Sequence, residues 1–161
     1  MGKVVHFEVP FDEQERAKEF YSKVFGWNFQ DIPEMDYIMA HTVECDENNM
    51  PKEYGAINGG MYKRDDKSAT SPVIVINVEN IDETLNKIQE SGGSTFREKV
   101  TVKGMGYYAQ VKDTEGNIIG VWENIKKQGG QESRERQTQA EPKEAEPQEQ
   151  ETTKKRIEIP A

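Results

Sequence analysis

The chain has 161 residues, 32% of them charged and 34% hydrophobic, with a net charge of -9. That acidity, with no basic stripe interleaved with aromatic residues, excludes a broad phosphate-binding surface and with it a nucleic-acid partner. The single cysteine, Cys45, excludes an intrachain disulfide and fits a reducing compartment. There is no 18-residue apolar run and no apolar N-terminal segment, so neither a membrane span nor a signal peptide is expected and the location read is cytoplasmic.

In chain order, residues 4–9 ("VVHFEV") alternate and are rich in Val and Phe, which predicts a strand. The period then changes. Asp12 is placed to cap a helix whose first turn carries Glu13 and Glu15, where the helix dipole favours acids. Ala17, Phe20, Tyr21 and Val24 fall at helical spacing, predicting one face packed on a sheet, and Gly26 stops the helix. "WNFQDI" and "DYIMAHTVE" read as strands separated by Pro33. "CDENNMPKEYG" reads as a polar loop and "AINGGMYKR" as a further strand with a glycine pair. The same order then recurs. "PVIVINVE" is an apolar strand expected to be buried on both faces or to face a pocket. "NIDETLNKIQES" is a helix with Leu85 and Ile88 inward, closed by Gly92 and Gly93. "STFREKVTV", "GMGYYAQVKD" and "NIIGVWENI" are three strands, with "DTEGN" as the last turn.

Strand, helix, three strands therefore appears twice. At a constant offset of 67 residues His6 aligns with Val73, Tyr21 with Ile88, Gly26 with Gly93 and Phe29 with Phe96, which points to an internal duplication. The predicted class is α+β: two tandem βαβββ modules, about residues 3–64 and 72–125, form curved, mixed but mostly antiparallel sheets. These enclose a central cleft, with the helices outside. This unit spans residues 1–126. Residues 127–161 are rich in Glu, Gln, Lys and Pro and nearly free of large apolar side chains, so they are expected to be a disordered tail. Its "KKR" at 154–156 reads as a solvated charge cluster.

The duplication, the "ERAKEFYSKVFGW" helix and the "DTEGNIIGVWE" turn and strand resemble the vicinal oxygen chelate superfamily, the group of glyoxalase I, extradiol dioxygenases, and bleomycin and fosfomycin resistance proteins. The resemblance covers residues 3–124, and the "GG" and "GVW" of the fourth and last strands look like its glyoxalase-related branch. It implies a divalent ion between the modules, held by His-type positions that open each module and Glu-type positions that close each. Only the first position is filled here. His6 opens module one; Val73 opens module two; residues 58–61 and Gly120 stand where closing carboxylates belong. Glu8 shares the strand face of His6 but lies two residue rises, roughly 6.6 Å, further along. Glu123 is expected to point opposite Gly120 and Trp122. His41 is read as equally able to be exposed. No cofactor is therefore predicted, and a divalent metal enters only through a non-family site at His6.

His6 has three readings: a hydrogen-bonded structural histidine, a substrate contact or acid/base group, and a metal ligand. Glu8 either sits in water at the cleft mouth or pairs with His6 or a substrate group. The catalytic candidates are these two. The expected cleft lining adds Tyr37, Met39, Met61, Val73, Tyr108, Gly120 and Trp122, with the missing side chain at Gly120 leaving volume for a ligand. The "NGG" at 58–60 permits close backbone approach or a bulge. Cys45, with no evident activating partner, reads as an unreactive thiol. The favoured reading is a metal-independent, glyoxalase-like small-molecule-binding protein. Its rivals are a lyase, isomerase or dioxygenase-type enzyme using His6, and an interaction module using the tail. The resemblance also implies a homodimer.

Overall fold

The computed structural model describes residues 2–125; the expected tail lies outside the described residues. The elements run β1 (Lys3–Phe11), α1 (Gln14–Phe25), β2 (Asn28–Ile32), β3 (Tyr37–His41), β4 (Gly59–Lys63), β5 (Val73–Asn77), α2 (Ile81–Glu90), β6 (Ser94–Val102), β7 (Gly106–Lys112) and β8 (Ile118–Asn124). The βαβββ order thus occurs twice, and a single 3-10 turn at Pro33–Met35 fills the predicted break before β3.

All eight strands join one sheet in the order β2-β3-β4-β1-β5-β8-β7-β6, so the modules meet edge to edge instead of as two separate sheets. The seam is the antiparallel pair β1–β5, where His6 faces Val75 and Glu8 faces Val73. Shifting His6 and Glu8 by the repeat offset yields Val73 and Val75, so the two pairs exchange under one internal twofold relation. β1 runs parallel to β4, and β5 parallel to β8; the other neighbours are antiparallel. The class is the expected mixed α+β.

Both helices cover the same face. Ala17 and Tyr21 of α1 pack on Val9, Phe11, Phe29, Ile38 and Met61. Leu85 and Ile88 of α2 pack on Tyr107, Ala109, Val111, Ile119 and Val121. The register puts Ile76 beside Val121 and Phe7 beside Ile74, which places the two clusters on one side of the sheet. Apolar side chains on alternate strand positions meet the inner stripe of each helix, and burying those stripes supplies most of the helices' stability.

Several local expectations are corrected. Phe20 and Val24 of α1 are 53% and 56% exposed, because at 100° per residue the contact stripe reaches Ala17 and Tyr21 and leaves these two beyond it. The N-cap of α1 is Glu13, not Asp12, and Asp12 pairs with Arg64 at 2.7 Å. Ile74 is 48% exposed on the seam between the helices, so β5 is not buried on both faces. The helix stops agree with the reading: Gly26 takes φ 72° as the C-cap of α1 and donates to Ser22. Asn80 caps α2 by accepting from Glu83.

The opposite, helix-free face is nonetheless partly buried. Tyr108 on β7 hydrogen-bonds Glu8 on β1, three strands away, a span of about 14 Å on a flat sheet. The sheet curls toward this inner face until side chains meet across it. Arg97 on the edge strand β6 also reaches Asp65, just beyond β4, at 3.1 Å. The sheet does not close, and its curl makes the predicted cleft the inside of a single sheet.

Candidate functional site

Eight of the nine expected lining residues share the inner face. The pairs His6–Val75, Glu8–Val73, Val75–Gly120, Met39–Gly60 and Tyr108–Trp122 fix their side, and Tyr37 follows Met39 by alternation. Met61 is the exception. It is fully buried against Phe11 and Ile38 beneath α1, because Gly60 and Tyr62 on either side of it take the inner face. Glycines carry no side chain to reveal their face, which is why the sequence misplaced it.

Three aromatic rings lie flat across glycines on this face. A Cβ on Gly60 would collide with the Tyr37 hydroxyl and ring, and one on Gly106 with Trp122. A Cβ on Gly120 would come within 2.9 Å of Tyr108 Cε2 and of Val75 Cγ2. On the other face Phe7 lies against Gly59 in the same way. The "NGG" thus serves close approach, of rings and not of backbone. Such diagonal aromatic cover restores the packing that glycine removes from a strand. It also overturns the expectation of open volume at Gly120, since the Tyr108 ring occupies it.

The two modules contribute matching sets: Tyr37, Gly60 and Tyr62 from the first, Tyr108, Gly120 and Trp122 from the second. Their tyrosine hydroxyls converge on the β1 pair. Tyr37 lies 2.8 Å from His6 Nε2 and also hydrogen-bonds Glu8. Tyr108 donates to Glu8 Oε2 at 2.5 Å, and Gln110 Nε2 donates to the same oxygen at 3.2 Å. Glu8 is 8% exposed, so it is neither in water at a cleft mouth nor paired directly with His6. Burial raises its pKa, against the Tyr108 and Gln110 hydrogen bonds and the Arg97 charge, which lower it. Burial lowers the pKa of His6 to about 4, opposed by its hydrogen bond to the Asn58 backbone. His6 is therefore neutral at neutral pH. The Tyr37 and Tyr108 hydroxyls are pushed up by burial and by the nearby Glu8 charge, so both stay protonated.

Two polar atoms of this face are buried without a partner among the described residues: Gln110 Oε1, on a side chain 3% exposed, and the Tyr62 hydroxyl. Sequence reading missed both. The signal was present in "YYAQV", a glutamine on the same face as Tyr108 within an otherwise apolar strand. An open hollow of about 600 Å³ lies beside Arg97, Phe96 and residues 65–67, and another of about 350 Å³ lies between β1 and the start of α1. Neither is lined by His6 or Glu8.

Among the described residues no three His, Cys, Asp or Glu side chains come together as a metal would require. The donor set explains this. The positions facing or symmetric with His6 are valines, the closing positions are glycines under tyrosine rings, and Glu8 already accepts hydrogen bonds from Tyr108 and Gln110. The residues present do not fit the superfamily's divalent ion. Glu123 points to the helix side as expected, where Oε2 accepts from Ile81 N at 2.8 Å and caps α2.

Cys45, read from sequence as lacking an evident activating partner, has polar neighbours in the structure. Its sulfur lies 3.1 Å from His41 Nδ1 and accepts from Asn58 Nδ2 at 3.1 Å. Asn58, 6% exposed, is held by the Thr42 amide and the Asn49 carbonyl. Its backbone is the group that bonds His6.

In fold and sequence the chain is similar to proteins of the glyoxalase/bleomycin resistance/dioxygenase superfamily. The family described as bleomycin resistance protein-like N-terminal matches residues 3–42. A glyoxylase-like domain-containing protein of Didymella fabae is 26% identical over 121 residues, covering 74% of this chain and 92% of its own. A superfamily member from Vibrio splendidus 12B01 superposes with a TM-score of 0.52 at 10% identity, over 77% of this chain and 100% of that one. Methylmalonyl-CoA epimerase from Mycobacterium tuberculosis superposes at 0.51 and 14% identity, over 77% and 89%. At these identities the solved structures speak for the fold alone. No helix among the described residues is long and apolar enough to cross a membrane.

Proposed function

We propose that this is a glyoxalase-like small-molecule-binding protein that works without a metal and takes an organic ligand on the inner face, centred on Glu8, Tyr108 and Gln110. The observation that supports this reading best is the unpaired Gln110 Oε1, on a side chain 3% exposed, with the unpaired Tyr62 hydroxyl on the same face. Buried polar atoms without partners cost about 1–3 kcal/mol each, and a ligand that donates to them removes that cost. Trp122 and Met39 supply apolar contact, and His6 and Glu8 are the polar anchors. A cytoplasmic location and a homodimer belong to the same proposal.

The test is a thermal-shift screen of metabolites and aromatic compounds, repeated with Tyr62→Phe, Gln110→Leu and Trp122→Ala. Stabilising hits that weaken in all three variants support the reading. Hits indifferent to them, or a tightly bound stoichiometric metal in the purified protein, overturn it.

A second reading is an enzyme of the lyase or isomerase kind that moves a proton through His6 or Glu8. Its support is the chain of hydrogen bonds from His6 through Tyr37 to Glu8 and Tyr108, which offers a basic nitrogen and a carboxyl on one wall. Hydrogen exchange from a bound hit into deuterated water, lost in Glu8→Gln, separates it from simple binding. The third reading, an interaction module built on the tail, concerns residues outside those described.

A further inference from the structure

We propose that the inner face binds a carboxylate carrying an O–H or N–H group on its α-carbon, with the anion at Arg97 and Tyr62 and the donor at Gln110. This rests on the reading of the inner face as a ligand site and names the chemistry of its occupant.

Gln110 sets the donor. Its amide is oriented by its neighbours: Nε2 donates to Glu8 Oε2 at 3.2 Å and to the Tyr108 hydroxyl at 3.0 Å. The Tyr108 proton goes to Glu8, so turning the amide over would set Oε1 against the oxygens of both. Oε1 is thereby left unpaired among the described residues, on a side chain 3% exposed. A buried acceptor so placed calls for an N–H or O–H from a ligand.

Arg97 and Tyr62 set the anion. Arg97 pairs with Gln110 in the β6–β7 register and shares its face. Its positive charge acts on the Tyr62 hydroxyl, which is buried and unpaired among the described residues. The guanidinium meets Asp65 end-on, through Nη2 at 3.1 and 3.4 Å, while Nε reaches the Lys67 carbonyl at a long 3.3 Å. The two-point fork that arginine offers a carboxylate is therefore not used. Asp65 also accepts the Lys67 amide at 2.8 Å, so it can release Arg97 and keep its own turn. With Phe96 and residues 65–67, Arg97 lines the open hollow of about 600 Å³. The guanidinium thus borders both Gln110 and a space of the size that holds a small molecule's body. Paired residues have Cβ atoms roughly 5 Å apart, short enough for one α-substituted head group to reach both.

Matched probes separate the parts. Mandelate and phenylglycine carry both groups, phenylacetate lacks the donor, and mandelamide lacks the anion. In calorimetry on the full-length protein, the first two are expected to bind about tenfold more tightly than either of the others. Asp65→Asn keeps the oxygen that accepts the Lys67 amide. By freeing Arg97 it is expected to tighten mandelate about threefold and to leave mandelamide unchanged. Arg97→Gln is expected to bring mandelate down to the level of mandelamide, and Gln110→Leu to that of phenylacetate. Equal binding of mandelate and phenylacetate overturns the proposal and needs no variant to fold; so does equal binding of mandelate to the wild type and Arg97→Gln. If the thermal-shift screen yields ligands that depend on Gln110 while mandelate and phenylglycine do not bind, the head group is wrong and the inner-face reading stands. If no ligand depends on Gln110, both fall.

Discussion

Tyr108 and Glu8 are 100 residues apart in sequence and share a 2.5 Å hydrogen bond across three strands of the curled sheet. The bond ties the last strands of the second module to the first strand of the first, and it holds a carboxyl where no helix covers the sheet. Burial favours the protonated form of Glu8 in the folded protein, so the folded state binds more protons than the unfolded state above the unfolded pKa of 4.5. Stability contributed by this group is fully present below that value and is lost as pH rises through the raised folded pKa.

Glu8→Gln removes that loss. The amide keeps an oxygen for the Tyr108 hydroxyl, and its NH₂ can turn to the unpaired Gln110 Oε1. The variant is expected to melt above the wild type at pH 8 and to match it near pH 4. A variant that melts lower at pH 8 would show that Glu8 is stabilised as an anion.

His6 has the opposite sign. Its folded pKa of about 4 lies below the ordinary histidine value of 6.5, so the unfolded state binds the extra proton between those values. Stability from this group rises with pH across that window and is complete above it, at about 3 kcal/mol for a shift of that size. Urea midpoints at pH 7 and pH 4.5 are expected to fall more in the wild type than in His6→Gln. Equal falls would mean that His6 titrates alike in both states.

Glu123, which strand alternation turns away from Gly120 and Trp122, serves the fold on the helix side. Its carboxylate accepts the first free amide of α2, at Ile81, where the helix dipole favours negative charge. Glu123→Ala is expected to cost about 1 kcal/mol in urea unfolding. Glu123→Gln keeps the acceptor and is expected to recover most of that. Indistinguishable Ala and Gln variants would count against the cap.

The repeat, the strand and helix order and the inner-face set around β1 were legible because period-2 and period-3.6 patterns survive in single segments, and Gly26 and the Asp113–Asn117 turn carry their own local signals. What was not legible depends on contacts between distant segments. Met61 was misplaced because its neighbour Gly60 shows no face. Cys45 looked unpartnered because Asn58, 13 residues on, returns to it only when β3 and β4 pair. Glu8 looked like a mouth residue because sheet curl, which brings Tyr108 to it, leaves no mark on any one strand. The metal positions were readable at once, as valines and glycines, but that tyrosine rings fill the vacated volume was not.

That filling can be measured at Gly60. Its backbone has no left-handed φ, so the demand for glycine is steric and comes from Tyr37, whose ring and hydroxyl occupy the place of a Cβ. Gly60→Ala must push Tyr37 aside and break its bond to His6, at a cost typical of overpacking, about 1–3 kcal/mol. Tyr37→Leu alone loses the hydroxyl and the ring cover, but it clears the space above residue 60. In the double variant the alanine is expected to cost far less than in the wild type, giving a coupling energy above about 1 kcal/mol in the cycle. Additive losses would mean that Tyr37 does not lie across Gly60, and the matching arrangement of Tyr108 over Gly120 would lose its closest precedent within the chain.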